Sequence, residues 1–145
     1  GGNLEYDALG NNIRTSNQRF LNYEALIKTV VEIKSQNLDL TFSCATGIFI
    51  KSENEIYLLT NKHVLCNDYK FESKLDFLNE ILIVVRQKDG TIINISVPLI
   101  DKDETLNKNV KLNSRNYIDI AIIKISEFLL PHINELDILP LSPET

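Results

Sequence analysis

IYLLTNKHVL, residues 56–65, begins as a run of apolar and β-forming side chains and reaches His63 three residues after the run ends at Thr60. A short apolar run bounded by polar residues is typical of a largely buried β-strand. The chain of 145 residues contains only one other histidine, His132. This stretch therefore predicts a strand over residues 55–60 that ends by placing an imidazole at the edge of the β-structure.

Segments of similar composition flank this stretch on both sides and are separated by turn sequences such as QNLD, SEN and QKDG. β-Branched and apolar residues bounded by such turns indicate strands. The predicted strands cover residues 28–35, 41–51, 55–60, 81–86, 91–100 and 117–125. Because they do not alternate with long helical patterns, we expect an all-β fold, either a small, mostly antiparallel barrel or a sandwich. A six-stranded closed barrel would leave few free edges.

Helical spacing is confined to two short places outside these strands. Apolar residues recur at intervals of three and four at Phe20, Tyr23, Ile27 and Val30, and again at Phe71, Leu75 and Leu78. The first sixteen residues are polar and rich in Asn and Gly, which favours a loose arm. The predicted organisation is an N-terminal arm and short helix over residues 1–27 and a barrel over residues 28–145.

Composition excludes several classes of function. The formal net charge is −5 at pH 7, which argues against a general partner among nucleic acids or anionic membrane surfaces. No apolar run approaches the roughly 20 residues of a membrane-spanning helix. The two cysteines and two histidines do not have the spacing of a zinc site. We therefore expect no nucleic-acid or membrane partner, no metal and no cofactor.

His63 and Asp119 form the candidate site. Asp119 stands among isoleucines at the start of the last predicted strand, and burying a carboxylate there costs several kcal/mol unless it is paired. A neutral histidine can donate one ring N–H to such a carboxylate and keep its other nitrogen as an acceptor. That pairing is the base and orienting group of nucleophilic catalysis. Taken singly, a lone histidine is usually a surface or satisfied core residue, and a lone aspartate at a strand start usually caps a turn.

Three segments together resemble a known family. TGIFI at residues 46–50, LLTNKHV at 58–64 and DIAIIKI at 119–125 are similar to segments in the first half of trypsin-like peptidases, and His precedes Asp as in that family. The resemblance spans residues 30–141. It implies the N-terminal six-stranded β-barrel of chymotrypsin type, with His63 as general base, Asp119 as its orienting partner and a polypeptide as substrate.

The chain departs from the family in lacking the GxSGG segment that carries the nucleophile, since none of its nine serines has a glycine on either side. The resemblance therefore implies a part of a serine endopeptidase, inactive alone, whose nucleophile, oxyanion hole and specificity pocket belong to a C-terminal barrel expected after Thr145. Two alternatives stay open. One is half of a chymotrypsin-like cysteine protease, and the other is a non-catalytic, protease-like barrel that binds other proteins.

The two cysteines leave a second question open. The resemblance implies a disulfide between a cysteine in the second strand and one just after the histidine. Cys44 matches the first position, but Cys66 is displaced by two residues from the second. A bridge and a buried reduced pair both fit, and the small number of cysteines favours a reducing, cytoplasmic compartment. His132 is interpreted as a surface residue and the DKDE run as a solvated loop.

Overall fold

The protein is described by a computed structural model over residues 25–37, 39–67, 76–115 and 117–143. Residues 25–29 are helical (α1), and a second short helix, α2, spans Ser126–Leu129, with 3₁₀ turns at Lys62–Leu65 and Leu130–His132. The strands are β1 (Val30–Gln36), β2 (Phe42–Ser52), β3 (Glu55–Thr60), β4 (Glu80–Arg86), β5 (Ile92–Pro98), β6 (Val110–Leu112) and β7 (Ala121–Lys124). The helix predicted around Phe71 and Leu75 lies outside the described residues. No helix within the described residues is long and apolar enough to cross a membrane.

All seven strands belong to one antiparallel sheet in the order β5-β4-β1-β2-β3-β7-β6, which curls into a half-barrel. The predicted β-rich fold is confirmed, but the predictions of six strands and a closed barrel are wrong. The additional strand, β6, has three residues and lies in a polar region interpreted as a loop. Three residues are too few to show an alternating pattern. β5 and β6 are the two edge strands, and no ladder joins them among the described residues, so the sheet is not closed. The segment that connects them in the chain forms only an isolated bridge, from Ile100 to Leu106.

The core lies on the concave side of the curled sheet, where alternate side chains of each strand point inward. The inward residues include Ile33, Phe49, Leu58, Ile83, Val97 and Ile123, each at most 1% exposed. Gly47 faces this core from β2, and a Cβ atom at that position would lie 2.6 Å from Leu58 Cδ1 and 2.9 Å from Ile33 Cδ1. The absence of a side chain at Gly47 therefore allows β1, β2 and β3 to converge on the core.

Three turns repeat one pattern, Asp-x-Thr, at Asp39, Asp89 and Asp103. In each, Oδ1 of the aspartate accepts hydrogen bonds from the backbone N–H and the hydroxyl of the threonine two residues later, with hydroxyl distances of 2.6 Å. The residue between them has positive φ: 70° at Leu40, 87° at Gly90 and 66° at Glu104. These bonds to the charged carboxylates lower the pKa values of all three aspartates, the threonine hydroxyl first.

Candidate functional site

A single 3₁₀ turn presents His63. After β3 ends at Thr60, Asn61 is extended and the turn Lys62–Leu65 follows, closed by the Val64 N–H donating to the Asn61 carbonyl. Within the turn, Lys62, Val64 and Leu65 are buried and only His63 is exposed. Packing of its neighbours therefore anchors the backbone on both sides of His63 while its imidazole remains on the surface.

Asp119 lies two residues before β7, the neighbour of β3 in the sheet, and reaches the same place. The last pair of the β3–β7 ladder joins Thr60 to Ala121, so His63 and Asp119 lie just past the end of that ladder. Oδ2 of Asp119 lies 2.5 Å from Nδ1 of His63, and Oδ1 accepts the His63 backbone N–H at 2.9 Å. The structure thus brings the two predicted site residues into contact, with both carboxylate oxygens bonded to the same histidine.

Asn61 adds a third contact, which the sequence did not predict. Its Nδ2 donates to the backbone carbonyl of Asp119 at 3.1 Å. This bond joins the two chain segments beyond the last ladder pair. It holds the Asp119 backbone close enough for the Asp119 carboxylate to reach His63. A polar side chain directly after a strand was the available signal, but many turns carry one.

The pair is open to solvent, since the side chains of His63 and Asp119 are 50% and 26% exposed. A carboxylate at Nδ1 favours the tautomer with its proton on that nitrogen, which places the basic lone pair on Nε2. If the imidazole takes up a proton at Nε2, the same carboxylate stabilises the resulting positive charge. The arrangement can therefore accept and return a proton at a fixed point on the surface.

Cys66, three residues after His63, is not placed for nucleophilic chemistry. Its thiol donates to the Lys62 carbonyl at 3.5 Å, within the same turn. Burial raises the pKa of Cys66 to about 11. Because the thiolate is the nucleophilic form of cysteine, this environment disfavours attack by Cys66 at neutral pH. The residue supports the backbone of the histidine turn instead.

Both cysteines are free thiols, so the structure contains the reduced alternative and no bridge. The expectation that a reduced pair would be buried is wrong for Cys44, which lies exposed on β2. Its pKa is raised, first by a hydrogen bond to Glu32, which stabilises the neutral thiol. Cys44 and Cys66 therefore occupy separate environments, one on the surface and one half-buried.

The remaining candidates lie apart from the pair. His132 belongs to the second 3₁₀ turn, Leu130–His132, and is partly buried rather than a plain surface residue. The DKDE run forms one of the three Asp-x-Thr turns, with Asp103 bonded to Thr105. No group of three or more His, Cys, Asp or Glu residues within the described ranges could hold a metal ion.

The comparison with known proteins found no relative of this chain. No protein-family model, no curated protein and no solved structure matches the chain. The contacts around His63 are therefore the physical basis on which its function can be inferred.

Proposed function

We propose that this chain supplies the general base, His63, and the orienting carboxylate, Asp119, of a trypsin-like serine endopeptidase. The observation that carries the proposal is the double contact, in which one aspartate holds both the backbone N–H and the Nδ1 atom of the same histidine at 2.9 Å and 2.5 Å. Fixing the backbone as well as the ring leaves the imidazole little freedom to rotate away from its working direction.

In the proposed reaction, Nε2 of His63 takes the proton from a serine hydroxyl as its oxygen attacks the peptide carbonyl. The resulting imidazolium is stabilised by Asp119 and returns the proton to the leaving amine, which departs as the acyl-enzyme forms. A water molecule then attacks the acyl-enzyme and gives its proton to His63, which passes that proton to the departing serine oxygen as the acid is released. The hydroxyl and the oxyanion donors come from a second barrel outside this chain.

The positions of the family-like segments support the proposal. TGIFI lies in β2, LLT in β3 and AIIK in β7, and these three strands are neighbours in the sheet. The segments that resemble the family in sequence therefore form one continuous surface that carries the candidate pair. A cysteine nucleophile would use the same two residues in the same roles.

A binding role without catalysis is the second candidate, and the outer face of the sheet favours it. Val30, Ile48, Leu59 and Ile122 occupy one row across four strands, each paired with the next. Val30 and Ile122 are 38% and 37% exposed. A continuous apolar row on an outer face is typical of a surface that contacts another protein.

The deciding experiment assays the complete polypeptide encoded by the gene for hydrolysis of fluorescently labelled casein. Substituting His63→Ala or Asp119→Asn should lower the rate by about 10²- to 10⁴-fold. His132→Ala is the matched control and should leave the rate unchanged. Labelling by a fluorophosphonate identifies a serine nucleophile. Absence of hydrolysis by the unsubstituted protein would refute catalysis and leave the binding role.

A further inference from the structure

The two edges of the sheet are built differently. Among the described residues, β5 and β6 each carry a ladder on one side only. β6 is three residues long and has an exposed lysine, Lys111, at its centre. β5 is seven residues long and reads IINISVP. Short length and a central charge are the usual protection of an edge strand against pairing with another chain, and β5 has neither.

Absence of charge distinguishes β5 from the rest of the described sheet. Each of the other six strands contains at least one Asp, Glu, Lys or Arg residue, whereas β5 contains none. Its outward side chains, Ile92, Asn94 and Ser96, are exposed, and Ile92 is 63% exposed. The one described strand without a charged residue thus lies at an edge of the sheet, in a chain whose net charge is −5.

We propose that β5 pairs antiparallel with β5 of a second copy of this chain, joining the two sheets across a two-fold axis. Two copies that each carry a net charge of −5 repel one another over most of their surfaces. Along β5, no like charges meet. Two identical β5 strands can pair with each other about a two-fold axis, and this pairing leaves neither uncharged edge exposed. The β6 edges are short and carry Lys111, so they do not pair further and the assembly stops at a dimer.

The register of this pairing follows from the side-chain pattern. A shift by one residue would place inward side chains of one copy opposite outward side chains of the other, which restricts the register to two-residue steps. Pro98 has no N–H to donate and marks the end of the pairing segment. The symmetric register that keeps Pro98 out of the ladder is centred on Asn94. It places Ile92 opposite Ser96 of the second copy, and Ile93 opposite Ile95.

The test compares two variants that change the net charge equally. Asn94→Lys places two lysines opposite each other at the centre of the interface, whereas Thr46→Lys places its lysine on the outer face of β2, an interior strand. In analytical ultracentrifugation over a concentration series, we expect a dimer for the unsubstituted chain and for Thr46→Lys. For Asn94→Lys, we expect a dimer dissociation constant raised about tenfold or more.

Hydrogen exchange supplies a readout that does not depend on how the variants fold. In the unsubstituted chain, the β5 amides should become more protected as protein concentration rises, whereas those of β6 should not change. A monomer at every concentration, larger open-ended assemblies, or equal dissociation constants for the two lysine variants would each overturn the proposal. So would a dimer whose β5 amides show no concentration-dependent protection. None of these outcomes depends on peptidase activity.

Discussion

Replacing Asp119 with asparagine should reverse the tautomer of His63. Oδ1 of Asp119 accepts the backbone N–H of His63 at 2.9 Å, and an asparagine can retain this bond only by placing its amide oxygen there. Its NH₂ group then occupies the position of Oδ2, 2.5 Å from Nδ1 in the native pair. Because that group is a donor, Nδ1 must become an acceptor, and the ring proton moves to Nε2.

The same substitution replaces two charge-assisted hydrogen bonds, to the backbone N–H and to Nδ1 of His63, by weaker neutral ones. Bonds to a charged group contribute about 1.5–3 kcal/mol and neutral ones about 0.5–1.5 kcal/mol. Allowing for the half-exposed histidine, we expect Asp119→Asn to lower the free energy of unfolding by about 1–2 kcal/mol. Asp137→Asn is the matched control, because Asp137 is 29% exposed and makes an ion pair with Lys28 at 3.2 Å. An exposed pair of that kind contributes about 0–1 kcal/mol.

Two measurements examine this prediction. Long-range ¹H–¹⁵N correlation spectra, recorded where the imidazole is neutral, should show the Nδ1–H tautomer in the native chain and Nε2–H in Asp119→Asn. Urea denaturation gives the free energies of unfolding of both variants. If the native chain already carries its proton on Nε2, the orienting role assigned to Asp119 is wrong. If Asp119→Asn and Asp137→Asn are equally stable, the double contact contributes nothing measurable.

Further predictions concern stability and can be measured by urea or thermal denaturation. Gly47→Ala should cost about 1–3 kcal/mol, because its Cβ would lie 2.6 Å from a core leucine; an unchanged midpoint would contradict the close packing of β2. Leu40→Gly should stabilise the protein by up to about 1 kcal/mol, since Leu40 has a φ of 70°, and Gly90→Ala, at 87°, should destabilise it. The pKa of Asp89 is lowered by its bonds to Thr91, so its contribution to stability is present above the unfolded value of 3.8 and is lost as pH falls through the lower folded pKa. In Thr91→Val, stability should therefore fall less steeply with decreasing pH in this range; an unchanged slope would exclude the hydroxyl bond as its cause.

The strands that lie between clear turn sequences could be predicted closely. Five of the six predicted strands lie within two residues of the observed bounds, and β3 matches at both ends. β7 begins four residues later than predicted, at Ala121, because Asp119 turns its carboxylate to His63 instead of extending the ladder. The strand preference of the residues around Asp119 cannot predict this later start, since His63 is 56 residues away in the chain.

The candidate pair could be predicted from the resemblance and from the need of a carboxylate among isoleucines for a donor, although the Asp119 side chain is 26% exposed rather than buried. The contact of Asn61 with the Asp119 carbonyl could not, because that amide acts on a backbone group that only the β3–β7 pairing brings near. The repeated Asp-x-Thr pattern was visible in the sequence as turn chemistry, but its three hydrogen-bonded copies emerge only from the backbone geometry. The seventh strand, β6, could not be predicted either, because three residues are too few for an alternating pattern.

The position of the pair beyond the β3–β7 ladder also bears on the order of folding. The turns at Asp39, Asp89 and Asp103 join residues close in sequence, and hairpins of this kind form in about 1–10 μs. The β3–β7 ladder instead joins segments more than 60 residues apart and must close a long loop. The hydrogen bonds around His63 can therefore form only after this slow pairing, so a chain trapped with native hairpins would lack the His63–Asp119 contact. The His63–Asp119 contact is consequently a local reporter of the long-range pairing of β3 with β7.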